Sequence, residues 1–141
     1  FEKEEISSVL LGKAKKADIS KYGIAKIKKN SGLPGLGLIE KMIEKPSIKR
    51  APSNLYAVGR YIFNNDFFIY LSKVKPDKTN EIQLTDAIDH YIKDGKKVSA
   101  FPLEGNVFDC GDNAEYILAN LEFAMKDPKI KSKIKKHFKV Y

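Results

Sequence analysis

A dense group of turn-forming residues at positions 30–35, reading Asn-Ser-Gly-Leu-Pro-Gly, separates two strand-like runs. The first run begins at Ile24 with apolar residues in alternation, and the second covers residues 36–45. Two such runs across a Gly/Pro turn predict a long β-hairpin. Pro46 ends its second arm, because proline has no backbone N–H to donate to a neighbouring strand.

Three further runs, residues 7–12, 55–63 and 97–103, are also predicted to be strands. Residues 55–63 are apolar on both faces, which is typical of a strand in the middle of a covered sheet. Gly59 weakens this strand and indicates a close approach of another backbone. Residues 97–103 alternate between apolar and polar side chains, which predicts an edge strand.

Apolar residues at helical spacing predict helices in the second half of the chain. The first covers residues 67–74, with Asn64 or Asn65 as its cap. A second opens at a capping box, in which Asn80 is followed three positions later by Gln83, and a glycine at position 95 closes it.

The last predicted helix begins at a similar signal, Asp112 followed by Glu115, and ends near residue 125. Its buried stripe is expected to consist of Ala114, Ile117, Leu118, Leu121 and Met125. Strands followed by helices that are interleaved with one more strand predict a layered α/β or α+β fold.

Length and composition bound the class of protein. A chain of 141 residues with 43% hydrophobic and 31% charged residues is typical of one globular domain. No apolar run approaches the roughly 20 residues of a membrane span, and the N-terminal residues do not resemble a secretory signal. Because Phe1 is not an initiator methionine, we expect a piece of a longer chain. The single cysteine, Cys110, excludes an intramolecular disulfide and fits a reducing cytoplasm.

The formal net charge of +8 is concentrated near the end of the chain. The basic residues there are Lys126, Lys129, Lys131, Lys133, Lys135, Lys136 and Lys139. Such a block attracts nucleic acid or anionic lipid in some proteins, but it is more often a solvated face or a terminal helix, and we favour that interpretation. Phe138 and Tyr141 are too few to indicate a base-stacking platform.

Residues 43–46, reading Ile-Glu-Lys-Pro, place an acid and a base at the end of a strand. The two oxygens of the Glu44 carboxylate can accept hydrogen bonds from adjacent sugar hydroxyls. The Lys45 ammonium can neutralise a phosphate as a point charge. An exposed ion pair, which contributes about 0–1 kcal/mol, explains the same two residues.

Two other short segments contain candidate functional residues. Asp109, in the Asp-Cys-Gly bend before the last helix, could supply one carboxylate to Mg²⁺. These three residues alone favour an ordinary turn, with Cys110 as a small buried filler. Gly23, beside Tyr22, could let a ligand approach the backbone, since glycine has no side chain. His90 and His137 have no partners at the spacing of a metal site or a catalytic triad.

In order and spacing, these segments resemble the C-terminal half of bacterial UTP–glucose-1-phosphate uridylyltransferases. The resemblance runs over residues 7–125. It is carried by Ser-Lys-Tyr-Gly-Ile at 20–24, Ile-Glu-Lys-Pro at 43–46, Ala-Pro-Ser-Asn-Leu at 51–55, Val-Gly-Arg-Tyr at 58–61, Asn-Glu-Ile-Gln-Leu-Thr-Asp-Ala-Ile at 80–88 and Asp-Cys-Gly at 109–111.

The resemblance implies an α/β fold that is the C-terminal half of a Rossmann-like mixed-sheet sugar nucleotidyltransferase. Its first domain would be the sugar-binding half, residues 1–125, followed by a basic helical tail at 126–141. The implied reaction converts UTP and glucose 1-phosphate into UDP-glucose and pyrophosphate with Mg²⁺. We expect a cytoplasmic homo-oligomer when the chain is complete, with neither nucleic acid nor a membrane as a partner.

The resemblance also implies roles for individual residues. Glu44 would bind glucose hydroxyls, and Lys45 would be a catalytic residue that meets the sugar-nucleotide phosphates. Tyr22 and Gly23 would lie against the sugar. Val58 and Gly59 would line the sugar pocket. Asp109 would be a catalytic residue and one metal ligand.

Family members are roughly twice as long, and their Gly-rich nucleotide loop and other metal-binding Asp lie in a half that is absent here. We therefore expect the chain alone not to turn over UTP, and we expect part of its sheet to be unpaired. Two alternatives stay open. One is another sugar-1-phosphate nucleotidyltransferase, such as a thymidylyltransferase, and the other is a basic nucleic-acid-binding module that acts through the lysine tail.

Overall fold

The computed structural model describes residues 5–28, 32 and 35–138. The chain divides into two compact units, Phe1–Leu103 and Glu104–Tyr141. The first contains β1 (Ser7–Lys13), a 3-10 helix (Lys16–Lys21), β2 (Ile24–Lys28), β3 (Gly37–Ile43), β4 (Leu55–Ile62), α1 (Phe67–Leu71), α2 (Leu84–Lys93) and β5 (Val98–Pro102). The second contains α3 (Asn113–Lys126) and α4 (Pro128–Phe138).

The five strands form a mixed sheet. β1 pairs antiparallel with β4 and parallel with β5. β2 and β3 form the predicted antiparallel hairpin, in which Ile24 pairs with Ile43 and Lys28 with Leu38. Most of the predicted turn at residues 30–35 lies outside the described residues, namely positions 30, 31, 33 and 34. The mixed sheet with flanking helices confirms the predicted α/β class.

The core of the first unit lies between the sheet and α2. Ala87, Ile88 and Tyr91 of α2 are almost completely buried, as are Val9 in β1 and Val98 in β5. Burying one such large apolar side chain stabilises the fold by about 1.5–3 kcal/mol. This packing holds the start of α2 close to the sheet, which matters for the site below.

The prediction that residues 97–103 form an edge strand was wrong. β5 pairs with β1 along its length and also with β3, through Gly37 with Ala100 and Leu38 with Ser99. Ser99 is buried although it is polar, since it lies inside the sheet. The alternation of side chains indicates which residues share a face, but not whether a second strand pairs with the outer edge.

The prediction that residues 55–63 form a strand covered on both faces was also wrong. β4 does pair on both sides, but its residues are half-buried or exposed, and Ile62 is 52% exposed. In the part of the chain that the structure describes, its outer face is left open. An apolar sequence indicates a tendency to be buried and does not supply the surface that buries it.

The helix ends were predicted with mixed success. Asp66, rather than Asn64 or Asn65, directly precedes α1 and makes no side-chain cap, while the Asn64 amide donates to the backbone oxygen of Glu5 at 2.9 Å. α1 also ends at Leu71, short of the predicted residue 74.

The predicted capping box before α2 is absent. Asn80 lies in a turn with φ +63°, and the helix starts at Leu84, preceded by Gln83 without a side-chain cap. The predicted closure of α2 at Gly95 is confirmed, since its N–H donates to the Ile92 oxygen and its φ is +82°.

In the second unit the predicted start of α3 is confirmed. Asp112 Oδ1 accepts the backbone N–H groups of Ala114 and Glu115 at 2.9 and 3.0 Å. The predicted buried stripe is wrong, because Ile117 and Leu118 are 64% and 50% exposed. The two helices of this unit present too little facing surface to cover it. No helix among the described residues has the length and apolar character needed to cross a bilayer.

Candidate functional site

The candidate site lies where β3 ends and β2 begins. The backbone oxygen of Tyr22 accepts the N–H of Lys45 at 3.1 Å, and the oxygen of Gly23 accepts the N–H of Ala57 at 3.0 Å. β2 already pairs with both β3 and β4 at its first residue, so these bonds continue the pairing into the preceding segment. Gly23 and Glu44 are thereby held side by side.

The Glu44 carboxylate is held by a helix that is distant in sequence. Its Oε2 accepts the hydroxyl of Thr85 at 2.9 Å, across 41 positions of sequence. Thr85 lies in the first turn of α2 and is only 5% exposed, so the packing of the helix fixes its side chain. A hydrogen bond to an ionised acceptor contributes about 1.5–3 kcal/mol. The carboxylate therefore has a defined position, with lone pairs left for a ligand.

Gly23 leaves the space that this carboxylate needs. A methyl group built on Gly23 would lie 2.4 Å from Thr85 Cγ2 and 2.9 Å from Glu44 Oε2. Both distances are shorter than van der Waals contact. Any side chain at position 23 would displace the Thr85–Glu44 pair, so the requirement for glycine here is steric.

Lys45 has an unusual backbone conformation. Its φ of +40° lies in the left-handed region, which costs a residue with a Cβ roughly 1–3 kcal/mol. The side chain is exposed and forms no ion pair with another described residue. The explanation of Glu44 and Lys45 as an ion pair with each other is thus not supported, and the ammonium is free to meet an anion.

Val58 and Gly59 lie in a distortion of β4. The register with β1 shifts between Tyr61 and Ala57, where the three residues 58–60 of β4 lie opposite the single residue Leu10 of β1. Gly59 has φ +83°, and no described atom lies within 4 Å of the point that a Cβ at this position would occupy, so no described backbone approaches it closely. Such bulges re-aim side chains and are common beside active sites. Val58 directly follows Ala57, whose backbone N–H donates a hydrogen bond to the Gly23 oxygen.

Tyr61 lies within electrostatic range of Glu44. Burial raises the pKa of the Tyr61 phenol, and the negative charge of Glu44 raises it further. The phenol is therefore neutral at physiological pH.

A cleft of about 520 Å³ opens beside Glu44 and Lys45, within the size range of small-molecule sites. It lies between the end of β3 and the segment that leads into α2. Its charged lining residues are Lys41, Glu44, Lys45, Arg50, Asp77, Lys78, Asp86 and Asp89. The equal number of cationic and acidic side chains suits a ligand that carries both hydroxyls and phosphate.

Asp77 orders the segment that forms one wall of this cleft. Its Oδ1 accepts the N–H and the hydroxyl of Thr79 at 2.8 and 2.6 Å and the N–H of Glu81 at 3.1 Å. Its Oδ2 accepts the amide of Gln83 at 2.8 Å. The hydrogen bonds from Thr79 and Gln83 hold the pKa of Asp77 well below its usual range. This network presets the approach of the chain to α2.

Asp109 belongs to the second unit. Its Oδ1 accepts the N–H of Gly111 at 3.0 Å, and its backbone oxygen accepts the N–H of Asp112 at 2.9 Å. These bonds form a compact bend before α3, in which both Asp109 and Cys110 are exposed. The carboxylate is accessible, while the cysteine is not the buried filler that an ordinary turn would contain.

The donor chemistry of Asp109 is compatible with Mg²⁺. Among the described residues no group of three or more His, Cys, Asp or Glu side chains could hold a metal ion. Mg²⁺ is nevertheless often held by one or two carboxylates, with substrate phosphates and water as the other ligands. An exposed carboxylate that is fixed through one oxygen fits the role of a single protein ligand.

Of the predicted site residues, Tyr22, Gly23, Glu44 and Lys45 lie together. Val58 and Gly59 are linked to them through Ala57 but do not line the cleft, and Asp109 lies in the other unit, so the part of these three residues in the site stays a prediction. Sequence reasoning missed Thr85 and Tyr61. Thr85 stands inside the Glu-Ile-Gln-Leu-Thr-Asp run that carried the resemblance, which is the signal that could have found it. Tyr61 lies in the Val-Gly-Arg-Tyr run, but nothing local indicates its distance from Glu44.

Comparisons with known proteins agree with these observations. The sequence profile described as "Nucleotidyl transferase" matches residues 1–126. The UTP–glucose-1-phosphate uridylyltransferase of Haemophilus ducreyi is 37% identical over 140 residues, which cover 99% of this chain and 47% of the relative. The enzyme of that name from Streptococcus pyogenes is 31% identical, and the match covers 97% of this chain and 44% of the relative.

Solved structures give the same result. A crystal structure of UDP-glucose pyrophosphorylase complexed with UDP-glucose superposes with a TM-score of 0.80 at 37% identity, covering 89% of this chain and 47% of that one. A structure of the UTP-bound enzyme of this type from Acinetobacter baumannii superposes with a TM-score of 0.78 at 28% identity. The match covers 99% of this chain and 47% of that one. This similarity confirms the predicted fold class.

The chain spans about half the length of the curated relatives that it matches. These relatives carry the name of the family that the sequence resembles, so the predicted resemblance is confirmed. Since the profile matches nearly the whole chain, the chain belongs to the nucleotidyl transferase family.

Proposed function

We propose that this chain is the sugar-binding part of a UTP–glucose-1-phosphate uridylyltransferase, which transfers UMP from UTP to glucose 1-phosphate and releases pyrophosphate. The observation that carries this proposal is the Glu44 carboxylate, fixed by Thr85 at 2.9 Å above the bare backbone of Gly23. A preset acceptor over open backbone suits the hydroxyl groups of a hexose.

The relatives support the choice of nucleotide and sugar. Proteins at 31–37% identity are named for UTP and glucose 1-phosphate, and one similar structure contains UDP-glucose. A putative glucose-1-phosphate thymidylyltransferase from Bacillus anthracis is less similar, with a TM-score of 0.63. The uridylyl reaction is therefore preferred to the thymidylyl alternative.

In this proposal the residues of the first unit bind and orient the sugar phosphate. Glu44 accepts hydrogen bonds from adjacent glucose hydroxyls, and the backbone at Tyr22 and Gly23 forms the floor beneath the ring. The Lys45 ammonium neutralises the phosphate. Val58 and Gly59 form the side of the sugar pocket.

Catalysis consists mainly of positioning and charge neutralisation, because an oxygen of the sugar phosphate attacks the α-phosphorus of UTP in line. Lys45 holds the attacking phosphate and offsets its charge. Asp109 would be one ligand of Mg²⁺, which supplies further charge neutralisation at the phosphates when it is bound. The residues that bind the nucleotide are expected in the part of the relatives that this chain does not span. We also propose a cytoplasmic homo-oligomer for the protein that contains this segment.

The test is a titration of the 141-residue chain with glucose 1-phosphate, followed by NMR chemical shifts so that weak binding is measurable. We expect Glu44→Gln to weaken binding of glucose 1-phosphate about tenfold or more, since hydrogen bonds to a charged group are lost. Binding of inorganic phosphate should stay unchanged in this variant. Lys45→Ala should weaken binding of both compounds.

Glu40→Gln is the matched control. Glu40 lies on the same strand and forms an exposed ion pair with Lys26 at 3.1 Å, away from Gly23. Its substitution should leave both affinities unchanged. If Glu44→Gln and Glu40→Gln bind glucose 1-phosphate equally well, Glu44 is not the sugar ligand and the proposed function loses its main support.

A further inference from the structure

α4 is a strongly basic helix. Between Pro128 and Phe138 it carries lysines at 129, 131, 133, 135 and 136 and no acidic residue. Almost all of its residues are exposed. Asp127 precedes it and accepts the N–H groups of Lys129 and Ile130 at 2.8 and 3.1 Å. The helix is thus well capped, although it buries little surface of its own.

The apolar residues of α4 form one narrow stripe. Ile130, Ile134 and Phe138 follow one another at every fourth position, which places them on one face of a helix. Ile130 and Phe138 are 44% and 67% exposed, while Ile134 is half-buried. Lysines occupy most of the remaining circumference. Apolar groups in water next to a dense positive charge are typical of helices that lie at a membrane interface.

α4 is also separate from the candidate site in sequence. The match to the nucleotidyl transferase profile ends at residue 126, just before the helix begins. The contacts described above for Glu44 and Gly23 come from residues of the first unit. The lysine-rich composition of α4 therefore needs an explanation other than sugar binding.

We propose that α4 binds the surface of an anionic lipid bilayer. The apolar stripe inserts among the acyl chains near the headgroups, and the lysines contact the phosphates around it. Nucleic acid fits less well for three reasons. α4 has no arginine to bind phosphates in a bidentate way, and besides His137 its one aromatic side chain for base stacking is Phe138. A phosphate backbone would also leave the apolar stripe exposed to water. This proposal is independent of the proposed function, and it replaces the expectation from the sequence that the tail is a solvated helix without a membrane partner.

The first experiment measures insertion. The chain has no tryptophan, so Phe138→Trp introduces a single reporter in the stripe. Its fluorescence should shift to shorter wavelength with vesicles of equal parts phosphatidylcholine and phosphatidylglycerol, and brominated acyl chains should quench it. The control is Phe68→Trp, at a position on α1 that is also 67% exposed. Tryptophan at 68 should not respond.

The second experiment separates charge from insertion by vesicle co-sedimentation of the 141-residue chain. Replacing Lys131 and Lys135 with glutamine should lower the partition coefficient about 30-fold. Ile130→Ser with Phe138→Ser should lower it by at least as much. The charge-matched control replaces Lys16 and Lys75, which are exposed lysines of the first unit, with glutamine. Its partition coefficient should equal that of the wild type.

Three outcomes would overturn the proposal. One is equal binding by the lysine variant and its charge-matched control. Another is loss of binding in the lysine variant with full binding in the Ile130 and Phe138 variant, which would mean electrostatic attraction without insertion. The third is tighter binding to a DNA or RNA oligonucleotide than to anionic vesicles, with no response of tryptophan at position 138.

Discussion

Thr85 determines how the candidate site is built at the scale of single residues. Its hydroxyl donates to Glu44 Oε2 at 2.9 Å, and its methyl group occupies the space next to Gly23. One side chain thus both orients the carboxylate and limits the residue type at position 23. Because Thr85 is buried, its rotamer is set by the packing of α2 and does not depend on a bound ligand.

Thr85→Val tests this orientation. Valine keeps the shape and removes the hydroxyl, so Glu44 is no longer held in place. We expect the affinity for glucose 1-phosphate to fall about tenfold, in line with the loss of one hydrogen bond to a charged acceptor. NMR titration measures it. Thr85→Ser, which restores the hydroxyl, should recover most of the affinity, and failure to do so would show that the methyl group matters more than the hydrogen bond.

Gly23→Ala tests the steric requirement. The added methyl group overlaps Thr85 Cγ2 and Glu44 Oε2, so we expect a loss of roughly 1–3 kcal/mol in the free energy of unfolding together with loss of glucose 1-phosphate binding. Urea unfolding and the same titration measure the two effects. Gly95→Ala is the control, because its φ of +82° makes alanine destabilising while nothing lies near the new methyl group. It should retain binding.

At the scale of elements, the segment before α2 shows how a loop positions a helix. Gln83 makes no side-chain cap at the helix N-terminus, and its amide nitrogen donates instead to Asp77 Oδ2. Asp77 also accepts hydrogen bonds from the backbone N–H groups of Thr79 and Glu81. The side chain of an upstream residue therefore orders the segment before α2, although it accepts no N–H group of the helix itself.

Asp77→Asn should change how stability depends on pH. The pKa of Asp77 is lowered in the folded state, so its contribution to stability is present above the unfolded pKa, near 3.8, and is lost as the pH falls through the folded pKa. We expect the variant to be less stable than the wild type at neutral pH, and the difference to shrink as the pH is lowered below about 4. Urea midpoints across this range measure it. A difference that does not change with pH would contradict the role of the charge.

At the scale of the whole molecule, the chain spans about half the length of its relatives, and the proposed function assigns it one part of the reaction site. We expect no UDP-glucose from UTP and glucose 1-phosphate in the presence of Mg²⁺, because the chain spans about half the length of its relatives. Chromatographic detection of UDP-glucose checks this. Measurable synthesis by the 141-residue chain would contradict the proposal that nucleotide binding resides outside it. In a protein of the relatives' length that contains this segment, Asp109→Ala should abolish Mg²⁺-dependent turnover.

Several features that depend on neighbouring residues were predictable, although the predicted cap at Asn64 or Asn65 and the predicted capping box at Asn80 were wrong. The hairpin of β2 and β3 follows from two strand-like runs and a turn. The cap at Asp112 and the end of α2 at Gly95 follow from side chains and dihedral preferences within a few positions. Features that depend on a distant partner were not. The position of β5 between β1 and β3 requires knowledge of which strands meet, and alternation of side chains does not contain it.

The sequence by itself determined the hairpin, the α/β class, the family resemblance and the residue types of the candidate site, because propensities and short motifs act locally. The tertiary structure alone decided that Glu44 and Thr85, 41 positions apart, share a hydrogen bond, and that Gly23 must be glycine for that bond to exist. Contacts between distant segments arise only after the helix packs on the sheet. The chemistry of each group is therefore readable in the sequence, whereas its orientation is set by folding.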